Sequence, residues 1–164
     1  MYYLLNIAKW LRKIWLYKIL KRHTHGVRVI LRDNEKILLV KHPYDNFWVF
    51  PGGMVEKDEQ TEIAARREIQ EETPYVISGD MKLFGHYTNN TGGKNDSVTV
   101  YLAEKYKPQD EKKRRESQRI IDKIEIQKCQ WFNLNQLPII SAATRKRVDE
   151  LLRHEISSIP REWA

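Results

Sequence analysis

The segment RREIQEETPYV, Arg66 to Val76, restricts the fold more than any other stretch of the chain. Set on a helix, Glu68 and Glu71 stand at i, i+3 and Glu68 and Glu72 at i, i+4, so the three carboxylates fall within about 100° of arc. Like charges at this spacing repel, by about a few tenths of a kcal/mol per pair. A plain solvated helix usually intersperses lysines there. Ala65 and Ile69, also i, i+4, give an apolar stripe that can seat the helix on a sheet and hold the carboxylates in fixed positions. Pro74 cannot continue the helix and pushes Thr73 out of α geometry, so the helix is expected to end at about Glu72. Such a carboxylate cluster suits a hard divalent cation, because Mg²⁺ prefers oxygen ligands and combines a few carboxylates with water and substrate phosphate.

The flanking sequence supplies the sheet. VRVILRDNEKILLVKH places two apolar, β-branched runs around Asp33 and Asn34 and predicts a hairpin. NFWVFPGGMV reads as a short strand stopped by Pro51 and the pair Gly52-Gly53. EKDEQTEIAARREIQEET is helical in composition, with Asp58 or Thr61 near its start. VISGDMKLFGHYT and DSVTVYLAEKY are strands on either side of the loop NNTGGKN. PQDEKKRRESQR is a solvated charge run, KIEIQKCQWFNL another strand, and SAATRKRVDELLRHEI a closing helix with Ser141 as N-cap. The pattern predicts an α/β (α+β) fold: a mixed β-sheet layered with a central and a terminal helix. The 164 residues suit one domain with one sizeable core.

Charge is informative through its location. The chain carries +7 overall, yet residues 1–22 hold Lys9, Arg12, Lys13, Lys18, Lys21 and Arg22 and no acid, leaving 23 basic against 22 acidic residues beyond them. A basic element so local argues against a nucleic-acid footprint across the domain. In the head, Leu4, Ile7, Leu11 and Ile14 recur at helical spacing opposite Lys9, Arg12 and Lys13. This divides the chain into a basic amphipathic helix, 1–22, and a domain, 23–164. Two arrangements suit the helix: packing on the domain or a second subunit, as most amphipathic helices do, or lying on an anionic membrane surface. Charges interrupt every apolar run, which excludes a membrane span or a convincing signal peptide in the head. The lone Cys129 fits a reducing compartment, so the expected location is cytoplasmic, or membrane-peripheral if the head is interfacial.

The spacing around the glutamates carries more. From Gly53, five residues lead to Glu59 and seven more to Arg67, followed by Glu68, Ile69, one residue, Glu71 and Glu72. This resembles the Nudix box of the Nudix hydrolases, with Pro74 in place of the usual glycine and Tyr75 in place of an aliphatic residue. Six fixed positions make a chance match in a chain of this length on the order of one in 10⁵. FWVFPGGMVE and CQWFNLNQLP resemble the family's flanking strand and its Trp-Phe-to-Leu-Pro ending, so the resemblance covers residues 25 to about 152. It implies a Nudix-like mixed sheet sandwiched between helices. It also implies hydrolysis of the pyrophosphate in a nucleoside diphosphate linked to another moiety, X, with Mg²⁺ or Mn²⁺. By position, Glu68, Glu71 and Glu72 hold metal, with the Gly52 carbonyl assisting and with Glu59, Arg67 and Gly53 in support.

The remaining roles are less fixed by position. Glu71 is one candidate for the base that takes a proton from water, and Glu125 or Asp122, outside the box, are others. Arg28 and Lys41 are candidate phosphate contacts, Arg28 on the opposite side of its strand from Val27 and Val29. Tyr44, Phe47, Trp48, Phe84 and Tyr87 are candidates to stack a base, with Trp48 and Tyr87 chosen first. His23, His25, His42 and His86 lack ligand spacing. The residues leave X open, although the absence of proline from Tyr75 to Lys107 disfavours the ADP-ribose-cleaving subgroup. The rival readings are a nucleotide-binding module without catalysis and a membrane-peripheral protein acting on a lipid-linked diphosphate.

Overall fold

The computed structural model describes residues 23–43, 45–89, 95–111 and 128–163. The basic head, Tyr44, the middle of the NNTGGKN loop and most of the charge run, with Asp122 and Glu125, lie outside the described residues. The element order is β1 (His23–Asp33), β2 (Lys36–Lys41), α1 (Thr61–Glu72), β3 (Tyr75–Ile77), β4 (Lys82–Asn89) and β5 (Asn95–Ala103). Then follow β6 (Tyr106–Pro108), β7 (Lys128–Asn133), α2 (Ala142–Leu152) and β8 (Ser157–Glu162). One mixed sheet has the order β7-β2-β1-β5-β4-β8, with β1–β5 and β4–β8 parallel. β3 and β6 form a separate antiparallel pair.

Alternation along the strands builds two cores. Val27, Val29, Leu31 and Leu38 face Ala64, Ala65 and Ile69 of α1. Ile30, Ile37 and Leu39 point the other way, into a cluster with Phe50, Phe84, Val100 and Val148 and Leu151 of α2. Each such fully buried side chain contributes about 1.5–3 kcal/mol of transfer free energy. The sheet is thus sandwiched between helices, as expected. The hairpin forms with Asp33 opposite Lys36 and Asn34 at φ 52°, a conformation asparagine tolerates. Ser141 caps α2 as expected, its Oγ accepting from the Thr144 N–H at 3.1 Å.

Two features differ from the sequence reading, and two sharpen it. NFWVFPGGMV joins the sheet by isolated bridges rather than as a strand. β1 and β2 pair only beside their turn, and the segment fills the gap between them, bonding Val40 through Val49 and then β1 through Pro51 O, Gly53 O and the Val55 N–H. α1 begins at Thr61, after Gln60, because Asp58 adopts φ 64° in the preceding turn. Each strand predicted beside the NNTGGKN loop splits in two, the short β3 and β6 leaving the main sheet. The tail SSIPREWA, beyond the stretch of resemblance that ends at about 152, adds β8 along β4.

Candidate active site

The glycine pair brings the loop against both β1 and α1. Gly52 has φ 138°, and a Cβ there would lie 2.2 Å from the Val27 carbonyl, so the position admits only glycine. Its N–H donates to Glu72 Oε2 at 2.8 Å. A Cβ on Gly53 would lie 2.6 Å from both carboxylate oxygens of Glu68. The two glycines therefore let the loop pack directly against β1 and the Glu68 carboxylate, where two of the three glutamates meet it. Glu68 reaches it because it shares the buried stripe of α1 with Ala64, Ala65 and Ile69.

Arg67 organises the carboxylates. It grips Glu59 with Nε and Nη2, both at 2.9 Å, in the two-bond geometry that guanidinium and carboxylate share. Its Nη1 donates to Glu68 at 2.8 Å and to Glu71 at 3.2 Å, and Nη2 also reaches the Met54 carbonyl at 3.0 Å. The bond to Glu59 is the largest cause holding the guanidinium's pKa above its usual value. The same bond leads the causes that lower the Glu59 carboxyl. Burial pushes Glu68 up, against the opposing bond and charge of Arg67; Glu71 pushes it further up and Arg28 down. Among the described residues, no three His, Cys, Asp or Glu side chains already converge as a cation cage. Glu68 and Glu71 are drawn onto Arg67, and Glu72 onto the Gly52 amide. Four carboxylates, Glu59, Glu68, Glu71 and Glu72, thus gather around the Arg67 guanidinium and the Gly52 amide. An excess of hard oxygen donors beside the glycine pair is the donor chemistry of Mg²⁺ or Mn²⁺, so the residues fit such an ion.

The end of α1 answers the question posed by Pro74. The helix stops at Glu72, and Thr73 is extended at φ −131°, ψ 161°. Thr73 bonds back to Ile69 O through its N–H and its hydroxyl. The Gln70 carbonyl and those just past the helix are capped from outside it. Gln109, just past β6, donates Nε2 to Gln70 O at 2.6 Å, Thr73 O at 2.7 Å and Tyr75 O at 3.1 Å. Its backbone N–H takes Pro74 O at 3.0 Å. No sequence signal marked Gln109, because its role exists only once β6 pairs with β3.

The other predicted residues separate. Arg28 lies within electrostatic reach of Glu68 and is half-buried, not the plain exposed residue its alternation also allowed. Lys41 ends β2 opposite Lys128. Trp48 is half-buried with its ring at a T-shaped angle to Phe132, 4.8 Å away. Tyr87 and Phe84 are fully buried, which corrects their choice as base-stacking residues. A bulge between Leu83 and Gly85 shifts the register of β4, so both rings enter the α2-side core. Glu125 and Tyr44 lie outside the described residues. His25 and His86, isolated in sequence, converge on the buried Thr99 hydroxyl at 2.9 and 3.1 Å.

Known proteins share this arrangement. A family model described as the NUDIX domain matches residues 22–153. The chain is 32% identical over 110 residues to the "ADP-ribose pyrophosphatase" of Bacillus subtilis (strain 168), an alignment covering 64% of this chain and 59% of that protein. It is 35% identical over 65 residues to the "MutT-like protein" of Streptomyces ambofaciens, covering 40% of this chain and 42% of that one. The chain thus spans less than two thirds of the length of either relative. The crystal structure of the MutT NUDIX hydrolase from Burkholderia pseudomallei superposes with a TM-score of 0.63 at 24% identity, over 80% of this chain and 99% of that one. That likeness is one of fold.

Proposed function

Because the chain belongs to the NUDIX family, we propose that it is a pyrophosphohydrolase acting on a nucleoside diphosphate linked to another moiety. The cation, Mg²⁺ or Mn²⁺, is held by Glu68, Glu71 and Glu72, with the Gly52 carbonyl beside them. The observation that carries the reading is the Glu68 carboxylate. It is buried, shares Arg67 with Glu59 and Glu71, and lies against Gly53, where a Cβ would meet its oxygens at 2.6 Å. A bound cation neutralises the substrate's phosphate charge and makes water a better nucleophile. The protein supplies the rest. Arg67 orients Glu68 and Glu71, and the Gly52 N–H orients Glu72. Glu71, the more exposed of the Arg67-bound pair at 29% against 11%, is the nearer candidate to accept the water's proton. Glu125 is the other.

The names of the relatives divide over the moiety. One is an ADP-ribose pyrophosphatase, against which the missing proline speaks, and another is MutT-like. ADP-ribose, nucleoside triphosphates, dinucleoside polyphosphates and nucleotide sugars therefore enter one assay on equal terms, each with Mg²⁺ or Mn²⁺. The expected result is hydrolysis of at least one, with Glu72→Gln lowering kcat/KM by roughly 100-fold or more. Absence of cleavage across the panel, with Glu72→Gln indistinguishable from the natural sequence, overturns the reading and leaves the binding-module alternative.

No helix among the described residues is long and apolar enough to cross a membrane. Surface contact or dimerisation through residues 1–22 is a separate proposal, supported by their basic amphipathic pattern. Flotation with anionic vesicles, with and without those residues, decides it: equal behaviour removes the membrane role.

A further inference from the structure

Two histidines and one threonine meet on the sheet at a place the carboxylate chemistry does not use. His25 lies on β1 and His86 on β4, with Thr99 of β5 between them. Thr99 stands opposite Val27 on one side and His86 on the other, so all three share the α1 face of the sheet. Thr99 is fully buried, and its hydroxyl lies 2.9 Å from His25 Nε2 and 3.1 Å from His86 Nδ1. His25 keeps part of its ring in solvent, and His86 is half-buried.

One hydroxyl offers one hydrogen and two lone pairs. With both imidazoles neutral, it donates to the bare nitrogen of one and accepts from the N–H of the other. A single imidazolium fits as the donor of the pair. A second leaves the Thr99 hydrogen without either acceptor and sets two cations across one oxygen. Among the described residues, the nearby acids are engaged elsewhere. On β5, Asp96 accepts from the Thr24 hydroxyl on the other face of the sheet. Glu59 is bound to Arg67 and Glu62 to Arg66, and Glu56 is exposed in the loop. The Tyr101 hydroxyl shares a hydrogen bond with Thr61. Burial, then the charge of His86, holds His25 below the usual histidine value.

His25 also seats the glycine loop through its main chain. Its carbonyl accepts the Val55 N–H at 2.9 Å, Gly26 bridges Met54, and the Val27 N–H donates to Gly53 O at 2.9 Å. Met54 O in turn accepts from Arg67. One residue therefore joins a proton-binding pair on the sheet to the loop that positions the carboxylate cluster.

We propose that His25, Thr99 and His86 form a proton-sensitive clasp that seats the end of β1 against the Gly52–Val55 loop, closed with at most one histidine protonated and opened by the second proton. The clasp does not rest on the pyrophosphohydrolase reading. Its effect on that site is to loosen the seat of the glycine pair in acid. The contribution to stability is complete above the unfolded histidine value of about 6.5. It declines as pH falls below that value towards the lower folded one, because the unfolded chain takes up the proton first.

The test follows the full chain by NMR from about pH 8 to 5, reading the histidine ring signals and the Gly53 and Val55 amides. The His25 ring is expected to titrate below about 6.5, and both amides to shift with it. Thr99→Val keeps a β-branched residue and removes the bridging hydroxyl, so the amides should lose that step. His86→Phe removes the opposing charge, should raise the His25 midpoint, and serves if the valine variant does not fold. The fall in Tm with acid should be steeper in the natural sequence than in either variant. Glu68, lifted by burial, titrates in all three proteins and cancels in the difference. A His25 midpoint at or above the ordinary value overturns the proposal, as do Gly53 and Val55 amides that titrate identically with and without the bridge.

Discussion

Two arginines organise two clusters, and their stoichiometry is opposite. Arg67 serves three carboxylates, Glu59, Glu68 and Glu71, with Glu72 beside them on the Gly52 amide. Arg147 shares one carboxylate with another arginine. It grips Glu150 through Nε at 2.7 Å and Nη2 at 2.9 Å, while Arg161 approaches the same carboxylate at 3.5 Å. The remaining faces of Arg147 are also occupied. Nη1 donates to the Trp163 carbonyl at 2.9 Å, and the guanidinium lies 3.9 Å from the centre of the Tyr87 ring. Arg147 is 1% exposed and Arg67 25%, both read on the side chain. The first cluster is over-supplied with negative charge and open. The second sets two arginines on one carboxylate beneath the β8 tail, Arg147 bonded through all three of its nitrogens and Arg161 with its Nε buried and unbonded. On the proposed reading, the exposed cluster serves a ligand and the buried one holds the fold.

Removing each arginine should therefore produce opposite failures. Arg147→Ala leaves Glu150 with the more distant Arg161 and is expected to destabilise the fold by about 3–5 kcal/mol, the range for breaking a buried pair. For a chain of this size that lowers Tm by on the order of 10 °C. Activity measured well below Tm should survive. Arg67→Ala should lose roughly 10- to 100-fold in kcat/KM, as expected when a residue that orients metal ligands is removed, with little change in Tm. Thermal unfolding and kinetics on both variants check the pair. If Arg67→Ala unfolds the chain and Arg147→Ala spares it, the assignment of one cluster to chemistry and the other to structure is wrong.

A smaller effect tests whether the open cluster depends on support from outside. Gln109 caps the carbonyls that a glycine at position 74 would help to satisfy by bending the backbone. Gln109→Ala is expected to weaken Mg²⁺ binding and activity by about 10-fold, since it loosens the turn that carries Glu71 and Glu72. Pro74→Gly alone should change activity by less than about 10-fold, because the cap already exists. In the double variant, glycine can provide its own termination, so the loss from Gln109→Ala should shrink. Mg²⁺-dependent shifts in Tm report binding apart from turnover. Strictly additive losses would show that Gln109 does not stand in for the missing glycine.

What was legible in the sequence follows the same division. The open cluster lies mostly within one helix and its preceding loop, where spacing along the chain becomes spacing in space. Glu59, Arg67 and the three glutamates could be placed from periodicity and the motif. The hairpin and the Ser141 cap are likewise local. The closed cluster joins Tyr87 to Glu150 and to Arg161 across 63 and 74 positions. The first contact needs α2 packed against β4, and the second needs β8 paired with β4. Tyr87 illustrates the limit best. As an aromatic it was a candidate to stack a base, but one bulge in β4 turned it inward beneath Arg147. Arg28 was visible as a basic residue on a strand, while the burial of its Nη1 without an acceptor depended on the packing around that strand.

The smallest expected effect separates the clusters by pH. The Tyr87 hydroxyl donates to Glu150 at 2.8 Å and accepts from Arg161 at 3.2 Å. Burial, followed by the bond to Glu150, raises its pKa well above the ordinary tyrosine value. In the unfolded chain it titrates near about 10. Below that value both states hold the proton and its contribution to stability is complete. Above it the unfolded chain releases the proton while the folded chain keeps it, so stability falls as pH rises towards the folded pKa. Tyr87→Phe keeps the ring beneath Arg147 but removes the titration. It should cost about 1 kcal/mol at neutral pH, from the lost hydrogen bond. Between about pH 10 and 11 its Tm should then fall less steeply than that of the natural sequence, so the gap between them narrows. Other tyrosines and lysines titrate in the same range in both proteins and cancel in the difference. Parallel Tm curves across that range would mean that the hydroxyl is not held protonated by Glu150, and that the cluster is less tightly closed than its geometry implies.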